Sequence, residues 1–189
     1  MQGSIDGNKS VQGIILNTNE GCAIDLSSKT FEDMTNLRLL CLNFVSFEEF
    51  DINHFPRLKV LDLSHCCQLK CAPNFDWILQ LEKLLLNGCS ALNEIDASIC
   101  RLTKLTILSM KDCTSLEQLP NHSGLRQDGK CSMSNMSKLE ELNLQGCGWL
   151  QCLPQQPSSL KRLLLRGCKM LKVVHVFENL ESIELVDMD

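Results

Sequence analysis

Basic charge is in short supply in this chain of 189 residues: 18 lysines and arginines stand against 23 aspartates and glutamates, a formal net charge of −5. Binding to a phosphate backbone rests on Lys and Arg neutralising phosphates, so nucleic acid is not expected as a direct ligand. A run of about 18 apolar residues is missing too, and the opening MQGSIDGNKSVQG has neither a basic nor an apolar stretch. Neither secretion nor membrane insertion is encoded. There is no GxxxxGKS/T, no GxGxxG, and no nucleophile set beside a histidine base, since His54, His65, His122 and His175 fall in different parts of the chain. His65 and His175 read as surface residues near strand ends. The expectation is a protein that is not an enzyme and holds no cofactor. Cysteine pairs at CxxC spacing are absent as well, which removes the usual zinc signature.

What is there is a repeat. The stretch LEELNLQGCGWLQCLP from Leu139 has the pattern LxxLxLxxCxxLxxxP, and it recurs from Leu58, Leu81, Leu105 and Leu160. Looser copies start at Val11, Leu37 and Leu180. From Leu37 to Leu180 successive starts lie 21, 23, 24, 34, 21 and 20 residues apart. That spacing is the period of leucine-rich repeats, about 20–29 residues, interrupted by one insertion. The alternation within xLxLx makes each copy a short strand with its leucines on one side. Stacked coils then give an α/β fold: a leucine-rich-repeat solenoid with a curved parallel sheet on the concave face and short helical, 3₁₀ or irregular convex segments. Residues 1–36 read as lead-in and first coil, with a strand in VQGIIL and a short helix before Leu37 capped by Ser28 or Thr30. Residues 37–189 carry the repeats. The extra residues fall at about 121–135, which reads as a solvated insertion in preference to a recognition loop. PQQPSSL from Pro154 is expected to be extended or turn, not helix.

Of the 12 cysteines, Cys66, Cys89, Cys113, Cys147 and Cys168 share one repeat position, which makes them inward-facing, weakly hydrogen-bonding and inert. The others are expected to be unpaired thiols in a reducing compartment, with Cys71, Cys131 and Cys152 the most reactive. Function is expected on the open face between the strand leucines: Val60, Asp62, Lys83, Leu85, Ile107 and Lys111 in the earlier coils. Glu141, Asn143, Arg162, Leu164, Arg166 and Glu184 continue it. Apolar residues at such positions invite a protein partner; the less favoured alternative is that lateral contacts such as Glu141 beside Arg162 only stabilise the sheet.

Three stretches carry a family resemblance: SVQGIILN with DLSSKTFEDMTNLRLL, then the two repeats from Leu81 to Pro120, then LPQQPSSLKRLLLRGC from Leu153. Together they resemble the leucine-rich-repeat region of plant intracellular immune receptors of the TIR-type nucleotide-binding class (TIR-NBS-LRR disease resistance proteins). The resemblance covers most of the chain. It implies a cytoplasmic recognition and autoinhibition module, with the nucleus as a second compartment. Its partner would be a pathogen effector, a guarded host protein or the receptor's own nucleotide-binding module. Neither a TIR domain nor a P-loop is in the sequence, so ATP binding and NAD cleavage do not carry over. The chain stops within a repeat at LESIELVDMD, so a fragment is expected. The alternative is a substrate adaptor or scaffold such as that of an F-box ubiquitin ligase.

Overall fold

The computed structural model describes residues 10–18, 31, 34–47, 52, 55–120, 131–172 and 182–184. Each repeat contributes one strand: β1 Gly13–Asn17, β2 Leu39–Asn43, β3 Val60–Asp62, β4 Lys83–Leu85, β5 Ile107–Ser109, β6 Glu141–Asn143, β7 Arg162–Leu164 and β8 Ser182–Glu184. They form one eight-stranded parallel sheet in sequence order. The leucines fix its register. Leu40, Leu61, Leu84, Leu108, Leu142 and Leu163 face one another across successive strands, and all are fully buried. A slip of one residue would turn that whole column to solvent. A second buried column, Leu63, Leu86, Met110, Leu144 and Leu165, follows two residues on. The chain is a leucine-rich-repeat solenoid.

The wall opposite the sheet is built from turns. Among the described residues two of them are 3₁₀ segments, Ala97–Arg101 and Met133–Asn135. Asp96 caps the first by accepting the Ser98 N–H at 2.9 Å, and Ser98 Oγ in turn accepts the buried Phe75 N–H of the coil before at 2.8 Å. Ile99 and Leu102 point inward as the repeat pattern requires. Residues 154–157 have no regular structure, because Pro154 and Pro157 withhold amide donors; Pro157 instead accepts the Leu160 N–H. The first strand begins two residues later than VQGIIL suggests, and the helix expected before Leu37 falls largely outside the described residues.

Two expectations need correction. The segment expected as loop through residue 135 is wall from residue 131 onward, since Met133 and Met136 are buried at the places that Ile99 and Leu102 occupy one coil earlier. Intervening serines hide that three-residue spacing. Cys131, expected as a reactive thiol, is bonded to Cys100, with Cα atoms 5.5 Å apart and a sequence separation of 31. The two 3₁₀ turns pack on each other, so stacking brings together cysteines that the insertion separates in sequence.

The repeat cysteines form a ladder. Cys66, Cys89, Cys113, Cys147 and Cys168 each donate an S–H to the main-chain carbonyl of Leu42, Leu63, Leu86, Met110 and Leu144 in the coil before, at 3.0–3.1 Å. Carbonyls of the second core column also accept the amide of the cysteine in their own coil, for example Cys89 N–H on Leu86 at 3.3 Å. A carbonyl oxygen has two lone pairs, so the thiol is both filler and second partner. Burial pushes the Cys66, Cys89 and Cys147 thiols up to about 12 and Cys168 to about 11, and raises Cys113 further, all from an ordinary 9.0.

Those shifts set a pH window. A pKa raised on folding gives stability that is complete below the unfolded value, near 9, and lost as pH climbs toward 11–12. Urea midpoints should therefore be level from pH 7 to about 9 and fall steeply above. Native alkylation near pH 8 should spare the ladder and modify exposed Cys71 and Cys152. A flat profile to pH 11, or rapid labelling of Cys113, would refute the ladder. Leu144→Asp gives a second check. It forfeits about 1.5–3 kcal/mol of apolar burial and adds an unpaired carboxylate, so the melting temperature should drop by more than about 5 °C.

Candidate protein-binding face

Parallel pairing sets the residues between the core leucines into two rows on the open side of the sheet. The first runs Leu39, Val60, Lys83, Ile107, Glu141, Arg162, and the second Cys41, Asp62, Leu85, Ser109, Asn143, Leu164. Nine of the expected site residues stand in these rows, and Glu184 continues the second on β8, for which the backbone alone is described. Lys111 and Arg166 do not. Both sit in the turns after β5 and β7, because the central strands stop after three residues where the expectation extended the alternation one step further.

The rows divide by chemistry. Val60, Leu85, Ile107 and Leu164 are half-buried aliphatic side chains with one flank toward solvent, and Ile15 on β1 is 65% exposed. This is the apolar part. Several polar members are occupied with the fold itself. Asp62 Oδ1 accepts the Ser64 N–H at 2.9 Å, and Asn143 Oδ1 accepts the Gln145 N–H at 3.1 Å, so both fasten the turn leaving their own strand. Asn87 Oδ1 does the same between coils, taking Ser109 Oγ at 2.6 Å and the Lys111 N–H at 3.1 Å. Cys41 is no nucleophile, since burial and then the Asp62 charge beside it raise its pKa.

Charge on the face is largely paired sideways. Arg162 forms an ion pair with Glu141 one strand away, and Lys161 pairs with Glu140 at 3.5 Å. The opposite charges of these two coils thus neutralise each other, worth about 0.2–1 kcal/mol per exposed pair. Lys83 is exposed and has no acidic partner among the described residues.

A rim of unusual backbone borders the face. Two residues after the second core column the chain takes positive φ in six successive coils: Phe44 (61°), His65 (63°), Gly88 (69°), Asp112 (59°), Gly146 (75°) and Gly167 (81°). Side chains on this rim lean onto the next coil. Phe44 and His65 stack with ring centroids 4.6 Å apart, and His65 stays exposed at the strand end, as expected. A Cβ on Gly88 would lie 2.5 Å from His65 Nδ1, and one on Gly146 would collide with the Asp112 carboxylate. Glycine is thus required twice over where the preceding coil carries a polar side chain.

No protein-family model matches the chain, and no curated protein matches it. Among solved structures the chain aligns with the leucine-rich repeat domain of the type III effector XopL, at 33% identity and a TM-score of 0.44. That alignment spans 47% of this chain and 31% of the other. Sequence reasoning missed Leu39, Cys41 and Ser109 on the face, although the looser repeat at Leu37 and the alternation in β5 would have given all three.

The rim yields a double-mutant test. Gly88→Ala should cost about 1–3 kcal/mol from left-handed backbone, plus the clash with His65. Adding His65→Gly should remove the clash alone. Urea unfolding of the four species should show a coupling of at least about 0.5 kcal/mol; strict additivity would mean that His65 does not lie over Gly88.

Proposed function

We propose that this chain is a protein-recognition module that holds its partner against the open face of the sheet, and that it works by binding and not by catalysis. The observation that carries the reading is the set of aliphatic side chains spread over both rows of that face: Val60, Leu85, Ile107 and Leu164 keep apolar flanks toward solvent on a sheet side that no other segment of the described residues covers. Large apolar side chains held in register on an open surface gain by being covered. A solenoid offers such a surface at full length because each coil contacts only its neighbours.

The finer reading follows the resemblance. We place the module in an intracellular plant immune receptor of the TIR-type nucleotide-binding class, where it would sense an effector or a guarded host protein and restrain the switch. Nine free cysteines among the described residues support a reducing, cytoplasmic setting. Bonded Cys100 and Cys131 pull the other way, and acid-quenched alkylation of the protein taken from cells would decide between the two. No helix among the described residues is long and apolar enough to cross a membrane.

The test is Leu85→Glu with Ile107→Glu, two half-buried face positions one strand and one row apart. Placed in a longer receptor carrying this array, the pair should weaken partner co-purification at least tenfold, about 1.4 kcal/mol, and alter cell-death signalling. The melting temperature should stay within a few degrees. Unchanged capture and signalling would remove the open face from recognition.

A further inference from the structure

The edge at which the chain enters each strand is cationic in an acidic protein. Across the six coils from Asn36 to Arg162, the residue before the first repeat leucine and the two after it supply eight cations and three carboxylates, while the chain as a whole carries five more carboxylates than cations. These positions form a continuous ridge. Lys59 N–H bonds Arg38 O, Glu82 bonds Lys59, Thr106 bonds Glu82, Glu140 bonds Thr106 and Lys161 bonds Glu140, each at 2.8–2.9 Å. Three cations are used up by Lys59–Glu82 at 2.6 Å, Lys161–Glu140 and Arg162–Glu141. That leaves Arg38, Arg57, Lys83, Lys104 and Lys138, all exposed and without an ion pair among the described residues. Arg57 and Lys104 rest on neutral amides, Asn36 Oδ1 and Gln80 Oε1. The Glu82 carboxyl is held below its ordinary pKa, chiefly by the Lys59 hydrogen bond, with the charges of Lys59, Lys104 and Lys138 adding to it.

We infer that this ridge, with the aliphatic rows beside it, docks an acidic polypeptide segment of the partner protein, its carboxylates on the uncompensated cations and its apolar side chains on Val60, Leu85 and Ile107. The inference rests on the open face being the partner-binding surface. Two observations favour polypeptide over nucleic acid. The two rows from β2 to β7 contain no aromatic side chain on which a base would stack. Glu82, Glu140 and Glu141 interrupt the cations, which repels an unbroken phosphate chain but suits a segment that presents amide N–H groups and spaced carboxylates.

The probes are a fluorescein-labelled peptide of about 12 residues repeating Asp-Leu-Glu-Val, long enough at ~3.3 Å per residue to cross six coils at ~4.8 Å each, its Asn/Gln counterpart, and an oligothymidine of equal length. Anisotropy titrations of the whole chain should show the acidic peptide binding at least tenfold more tightly than the other two. Raising salt from about 50 to 300 mM should weaken it, and Lys83→Glu with Lys104→Glu and Lys138→Glu should weaken it at least tenfold. Should the reversals not fold, Lys83→Gln with Lys104→Gln and Lys138→Gln gives the same comparison. No binding of the acidic peptide, equal binding of the neutral one, or reversal without effect would overturn the inference. Tighter, reversal-sensitive binding of oligothymidine would overturn it in favour of nucleic acid. Failure here with Leu85→Glu and Ile107→Glu still abolishing partner capture would sink the ridge alone; if that pair also left capture unchanged, the open-face reading would fall with it.

Discussion

Everything in this solenoid hangs on how a buried carbonyl is satisfied at the point where the chain leaves each strand. The left-handed residue that follows sends its amide to the next coil, as His65 does to Asn87 at 2.6 Å and Asp112 to Gln145 at 2.6 Å. The carbonyl of the second core column, two residues earlier, is left pointing into the stack. Water cannot reach it. From Leu63 onward its first donor is the amide of the cysteine in its own coil; a second must come from the coil after, and it must be small because the slot is buried. Cysteine meets both demands: it packs as a small hydrophobe and still offers a weak S–H donor. Val45 fills the same slot one coil ahead of the first rung, supplying volume without a donor. Because each rung joins two coils, the ladder adds to the apolar contact, strand pairing and polar links that couple neighbours.

Much of this was legible in the sequence because the repeat fixes register, and register fixes which side chains meet. The two leucine columns follow from period two within xLxLx, and the inward cysteines follow from their constant offset. The acceptor of each thiol did not, since it depends on where the strand ends. Cys100–Cys131 and the buried Met133 were illegible for a related reason: the insertion breaks the count of residues on which every offset depends. The rim was half legible. Gly88, Gly146 and Gly167 mark a turn, but Phe44, His65 and Asp112 occupy the same left-handed place, held there by the coils on either side against a cost of about 1–2 kcal/mol each.

The alternation placed most of the face, while the partners of its polar residues come from turn and coil geometry. Asp62 and Asn143 looked like recognition groups because they face outward, yet their side chains close the turns behind them. Arg162 looked like a reader of charge, yet Glu141 holds it. The ridge went unseen because only its last position, that of Lys83 and Arg162, alternates with the core leucines; the rest lies before the strands, where a comparison across all six coils is needed to reveal an excess of one sign. Sequence spacing shows what a strand presents; coil-to-coil register shows what its neighbours have already neutralised.

That distinction bears on how such a face selects. A partner that took Arg162 would have to pull it from Glu141 and leave a carboxylate unmatched, so a paired residue contributes to discrimination mainly as a penalty. Cations resting on amides or on water have no such debt. Arg57 and Lys104 are held in place by Asn36 and Gln80 yet remain uncompensated, which lowers the ordering cost a partner would meet without lowering the attraction. The backbone beneath them is fixed by strand pairing at one end and by thiol rungs at the other, so the spacing between cations is set by coil height, about 4.8 Å per step. A ligand fits such a surface by matching that step. The core cysteines, which never meet the partner, thereby set the ruler against which it is measured.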